Sequence, residues 1–149
     1  MQPNLGVIET IDLVKTEVDA SSIVFSKTIG LNGEDMVIDP PAFGLFTKVI
    51  TKYQFGQVVS IDLFSSQINK EGIVYLEKFT NKLYDVLKNR TVGGTGKFNR
   101  TDALQISTGN VWAGKLWVDY NTTSVVILRM EEGIVSLSIL NNAVSESIG

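Results

Sequence analysis

Between Val111 and Leu140 the chain repeats one kind of segment three times. Val111–Tyr120, Ser124–Met130 and Ile134–Leu140 are rich in β-branched and aromatic residues and have the length of strands. Only Asn121-Thr122-Thr123 and Glu131-Glu132-Gly133 separate them. Connections this short join antiparallel neighbours, because a parallel crossover needs a dozen residues or more. The last third of the chain is therefore expected to be an antiparallel meander, and its apolar face needs a covering layer.

The rest of the sequence supplies both strands and helices. Val7–Val14 alternates in part, with Val7, Ile11 and Leu13 of one parity and Glu9 interrupting. Ser22–Ile29 alternates cleanly, with Ile23, Phe25 and Ile29 opposite Ser22, Ser26 and Thr28. Both read as half-buried strands. Asn32-Gly33 is a turn signal, since both residues tolerate positive φ, and Met36–Ile38 is the expected return strand.

Asp39-Pro40-Pro41 has the composition of a helix start. Beyond it, Leu45, Phe46, Val49, Ile50 and Tyr53 fall on one helical face and Thr47, Lys48, Thr51 and Lys52 on the other, with Gly56 as the stop. Gln57–Phe64 returns to alternation. The clearest helix runs from about Asn69 to Asn89, with Ile73, Leu76, Phe79, Leu83, Val86 and Leu87 as its apolar stripe. Ser66 or Asn69 is placed to cap it, and Gly72 weakens its first turn. Thr91–Arg100 is a glycine-rich connection. The expected order is β-β-β-α-β-α-β-β-β: an α+β fold over residues 1–149 as a single domain, an antiparallel sheet with two main helices packed on one face.

Two absences restrict the chemistry. The 149 residues include no cysteine and no histidine. Thiol nucleophiles, thiolate zinc sites, iron–sulfur clusters and disulfides are excluded. So are imidazole bases, Ser-His-Asp and Cys-His machinery and most zinc and non-haem iron sites. Carboxylate, Lys, Tyr, Ser and Thr chemistry remains open, as does an oxygen-only cation site. Neither a metal nor a cofactor is expected. Met1–Leu5 has no basic stretch followed by an apolar run, and no run of 18 apolar residues occurs. The expectation is a cytoplasmic protein, with Asn89-Arg90-Thr91, Asn99-Arg100-Thr101 and Asn121-Thr122-Thr123 chance matches to the glycosylation pattern.

Gly93-Gly94-Thr95-Gly96-Lys97 resembles a phosphate loop only superficially. Thr91 stands where the first glycine belongs, Phe98 follows the lysine, and the segment follows a helix and not a strand. The acidic pairs Glu34-Asp35 and Glu131-Glu132 sit at expected turns, and no calcium-loop spacing surrounds Asp35 and Asp39.

Charge is blocked along the chain. Residues 1–39 carry two basic and seven acidic groups, residues 40–100 nine and four, and residues 101–149 two and five. The net charge of -3 and pI near 4.9 do not suit a nucleic-acid binder. The long helix lacks the flanking basic excess of a membrane-surface helix.

Trp112 and Trp117 have opposite parity on one expected strand. Trp112, Gly114, Leu116, Val118 and Tyr120 make the more apolar face, so Trp117 is expected to project beside Lys115 on the solvated face unless a helix covers that face too or a bulge shifts the register.

These features favour a small protein-binding module that occludes a protein partner, in the manner of an inhibitor, a toxin-immunity protein or a chaperone. Its candidate contact residues are Trp117, Lys115, Glu131, Glu132, Lys97 and Arg100, with no catalytic residue and no enzymatic activity expected. A small-ligand binder or carboxylate enzyme, with a pocket between sheet and helices near Tyr53, Tyr75, Tyr84 or Tyr120, is the alternative. A structural subunit of a larger assembly is a third reading. The expected partner is another protein, neither nucleic acid nor membrane, and self-association is compatible with the sequence.

Overall fold

The computed structural model describes residues 5–20, 23–29, 33–87, 97–109, 112–119 and 122–142. Its elements, in order, are α1 (Leu5–Ala20), β1 (Ile23–Ile29), β2 (Gly33–Ala42), β3 (Phe46–Gln54), β4 (Gln57–Gln67), α2 (Lys70–Leu87), α3 (Arg100–Gly109), β5 (Trp112–Asp119), β6 (Ser124–Glu131) and β7 (Ile134–Leu140). The strands form one seven-stranded antiparallel sheet in the order β1-β2-β3-β4-β7-β6-β5. Two meanders thus meet where β4 pairs with β7. The α+β class, the antiparallel sheet, the closing meander and the long helix agree with the sequence reading.

Two expected elements differ, each for an identifiable reason. Residues 7–14 belong to a helix, not a strand. Val7, Ile11, Val14 and Val18 are all buried, at spacings of four, three and four, and that stripe outweighs the β-branched composition. Residues 45–53 form most of a strand, not a helix. The register shifts between Phe46 and Lys48, so that Thr47 is an extra residue in β3. Phe46 and Val49 consequently face the core together at a spacing of three, which imitates a helical period. Asp39-Pro40-Pro41 lies within β2 and starts no helix.

A third helix, α3, was not anticipated. It is short, and of its described side chains only Asp102 and Ile106 are buried. Its signal is a reciprocal cap. The Asn99 side-chain oxygen accepts from the Asp102 N–H at 3.0 Å, and Asp102 Oδ2 accepts from the Asn99 N–H at 2.9 Å. In α2 the cap is Asn69, whose Oδ1 accepts from the N–H groups of Glu71 and Gly72 at 3.0 and 3.1 Å. Gly72 is more than a weak point there: a Cβ would stand 2.7 Å from Ile68 Cβ.

All three helices cover one face of the sheet. α1 lies against α2 and touches β2 and β6, while α3 packs on β5. The core between the layers contains Val7, Val14, Phe79, Leu83, Leu128 and Leu137, all nearly inaccessible. Phe79 packs against Phe43 in a tilted contact and against Phe46 edge to face, at centroid distances of 4.5 and 5.2 Å.

A β-bulge in β5 decides which side chains enter this core. The register shifts between Trp112 and Lys115, at Gly114, whose φ is +87°. A Cβ at Gly114 would collide with the Leu128 carbonyl oxygen. Only glycine fits there, on both backbone and steric grounds. The shift puts Trp112, Lys115, Trp117 and Asp119 on the covered face, and all four are buried. Gly114→Ala should therefore cost at least about 2 kcal/mol, from the left-handed backbone together with the collision. A thermal melt followed by circular dichroism should show a fall of roughly 4–8 °C. An unchanged melt would mean that the bulge is not formed.

Candidate functional site

The anticipated contact residues do not make one surface. Trp117 is 0% exposed, which corrects its expected projection into solvent; the bulge at Gly114 is the reason. Its indole N–H has no hydrogen-bond partner among the described residues. Lys115 is likewise interior, at 4% exposure. Glu131 and Glu132 are exposed at the turn from β6 to β7. Lys97 and Arg100 are exposed at the entry to α3, with Lys97 Nζ 5.7 Å from the centroid of the Tyr84 ring. Residues 91–96 of the glycine-rich segment lie outside the described residues.

Lys115 belongs to a buried polar cluster that fastens α3 to the sheet. Its Nζ is 3.0 Å from Asp102 Oδ2 and donates to the Lys97 carbonyl at 3.3 Å. The Trp112 indole N–H donates to Asp102 Oδ1 at 3.0 Å. The Phe98 N–H donates to Asn81 Oδ1 at 3.0 Å, which ties the segment to α2. Burial opposes ionisation of Asp102. The Asn99 N–H, the Trp112 indole and the Lys115 ammonium outweigh it and hold the carboxyl below the usual carboxylate range. Among the described residues the partners of this carboxylate are all internal, and they fasten α3 to the sheet.

Breaking it has calculable consequences. Asp102→Asn removes the carboxylate paired with the buried Lys115 ammonium, at a cost of about 3–5 kcal/mol. Lys115→Met should cost a comparable amount, and the double variant clearly less than the sum of the two. Because the Asp102 pKa is lowered on folding, its stabilisation is present above about pH 4 and is lost as pH falls through the folded-state value. Urea titrations between about pH 7 and pH 3 should show an acid-sensitive component in the parent that is missing in Asp102→Asn. Additive single variants would contradict the pairing.

Among the described residues, two clefts border α1. One, between α1 and strands β2–β4, is lined by Lys15, Asp19, Glu34, Thr51 and Tyr53 among others and measures ≈ 50 Å³. Lys15 Nζ donates to the Tyr53 hydroxyl across it at 3.4 Å. That space suits a few waters and is small for a metabolite. The other, between α1 and α2, measures ≈ 250 Å³ and is lined by Glu17, Phe43, Tyr75, Lys78, Phe79 and Lys82. Lys82 Nζ lies 5.8 Å from the centroid of the Phe43 ring within it. Of the tyrosines considered for a pocket, Tyr53 and Tyr75 thus line clefts. Among the described residues, no cluster of three or more acidic side chains is arranged to hold a metal ion. None of their helices is long and apolar enough to cross a membrane.

The other face of the sheet is different in kind. Its residues have the parity opposite to the core, and among the described elements no helix packs on it. Cross-strand pairs place Leu116 beside Ile127, Val118 beside Val125, and Val125 beside Leu140. These five side chains form one apolar patch over β5, β6 and β7. Leu116 and Leu140 are each 41% exposed, and Val118, Val125 and Ile127 are half-exposed. None belongs to the core cluster or packs against it. The patch continues through Ser136 and Ser138 to Phe64 and Ile50.

The charges on this face are mixed. Lys48, Lys52 and Arg129 share it with Asp35, Asp39, Asp62 and Glu131, because antiparallel pairing interleaves the three charge blocks of the chain. The sequence reading overlooked this patch, although β6 carries a signal for it. Ser124–Glu131 has apolar residues on both parities: Val126, Leu128 and Met130 inside, Val125 and Ile127 outside. A strand apolar on both faces is the pattern of one covered on both faces.

Comparison with known protein families, curated proteins and solved structures gives no match.

Proposed function

We propose that the protein is a cytosolic protein-binding module, without catalytic activity, whose docking surface is the open face of the sheet. The observation that carries this reading is the patch of Leu116, Val118, Val125, Ile127 and Leu140, an apolar area on the side away from the helices. Soluble proteins keep contiguous exposed apolar area small, and larger patches rimmed by polar groups mark sites of association.

The mechanism is occlusion. A partner laid on the sheet removes the patch from water and is itself covered over the footprint of the sheet. This is the physical basis of inhibitor, immunity and chaperone action alike. The interleaved charges argue for a contact driven by apolar burial and trimmed by local ion pairs, in place of one steered by a single sign of charge. Its strength should accordingly change little with salt.

Ile127→Asp puts a carboxylate at the centre of the patch without entering the core. Used as bait in native extract, the parent chain should retain a stoichiometric protein that the variant loses, with both baits giving the same far-ultraviolet circular dichroism. Equal retention by parent and variant would remove the open face as the docking surface.

A further inference from the structure

We infer that the occupant of the open face is a second copy of this chain, giving a two-fold homodimer in which two sheets lie face to face between outer helical layers. The inference rests on the docking role proposed above and names the partner.

Three observations converge on self-association. The first is charge. An isologous interface sets a surface against itself, so a face of one sign repels its own copy. Among the described residues this face carries three basic groups, Lys48, Lys52 and Arg129, and four acidic groups, Asp35, Asp39, Asp62 and Glu131. They lie outside the apolar patch, on β2, β3, β4 and the far end of β6, so a copy turned about a two-fold axis meets both signs with both signs.

The second is area. Seven strands at about 4.8 Å spacing, each about seven residues of 3.3 Å, present on the order of 700–800 Å². A stable interface takes about 800 Å² from each partner, or about a tenth of a small protein's surface. The accessible surface here is 8384 Å². One sheet face is thus the right size for its own copy.

The third is shape. Ser136 and Ser138 stand between the apolar patch and Phe64, and neither has more than a hydroxymethyl side chain. Sheets pack about 10 Å apart when side chains interdigitate. The large side chains of one copy, such as Ile127 and Phe64, have these low positions of the other to enter.

Sedimentation equilibrium over a dilution series from about 100 µM to about 0.1 µM tests the inference, in the range where interfaces of this size associate. The parent chain should be a dimer at the upper end, with little dependence on salt. Ile127→Asp combined with Leu140→Asp should raise the dissociation constant at least about 30-fold, the loss expected on removing a central apolar anchor. Leu116→Lys, on the edge strand β5, is the milder variant should the double one not fold, and it should weaken association in the same direction. Val74→Asp, on the exposed side of α2, should leave the dimer intact.

A parent chain monomeric throughout the series would overturn the inference. So would a dimer that survives the open-face changes or that Val74→Asp disrupts. Failure here is separable from failure of the docking reading. A monomer whose captured partner is lost with Ile127→Asp keeps the open face as a docking surface for a different protein. A monomer whose capture ignores that substitution loses both.

Discussion

Among the described residues, seven strands with a single layer of helices leave one side of the sheet to be accounted for, and most of the molecule's features follow from that. The covered side takes the apolar stripes of α1 and α2, Ile106 of α3 and both tryptophans. On the other side β5, β6 and β7 still carry Leu116, Val118, Val125, Ile127 and Leu140. Strands meant to meet water on one face usually alternate apolar and polar residues. β3, with Lys48 and Lys52, moves toward that pattern, and β6 departs from it. The departure sits over the end of the sheet that α3 supports from behind.

That support depends on placing a lysine and an aspartate inside the protein. Two charges taken out of water gain little net stability unless their remaining hydrogen bonds are met. Asp102 meets them with the Asn99 N–H, the Trp112 indole and Lys115, so helix cap, ion pair and aromatic anchor share one carboxylate. The bulge at Gly114 is what brings Trp112 and Lys115 to the same side. Without it Trp112 and Lys115 would have opposite parity, and α3 would lose its only buried polar attachment to β5 among the described residues.

The meander and the long helix were legible in the sequence because their signals are local: alternation bounded by turn residues in one case, a six-residue apolar stripe in the other. The misreadings share a cause. Period alone assigns a face only if no residue is inserted, and β3 and β5 each contain a bulge. Thr47 made a strand look helical, and Gly114 reversed the parity of Trp117. Bulges answer to the neighbouring strand, at Leu128 for Gly114, and that contact is not local in the chain. The opposite error fell on α1, where Val7, Ile11, Val14 and Val18 make a helical stripe from residues that favour strands. The site was less legible than the fold. Lys115, thought to be a contact residue, is an internal anchor, while the two-sided apolar pattern of β6 was present and went unread.

Carbene footprinting at low and high protein concentration tests the central claim most directly, because it reads each side chain's exposure without altering the chain. Leu116, Ile127 and Leu140 should be labelled in dilute solution and protected as concentration rises, while Leu128, next to Ile127 in β6, and Leu137, three residues before Leu140 in β7, stay unlabelled throughout. Labelling of the open face that is absent in dilute solution, or equal at both concentrations, would contradict an open face that serves as the surface of self-association.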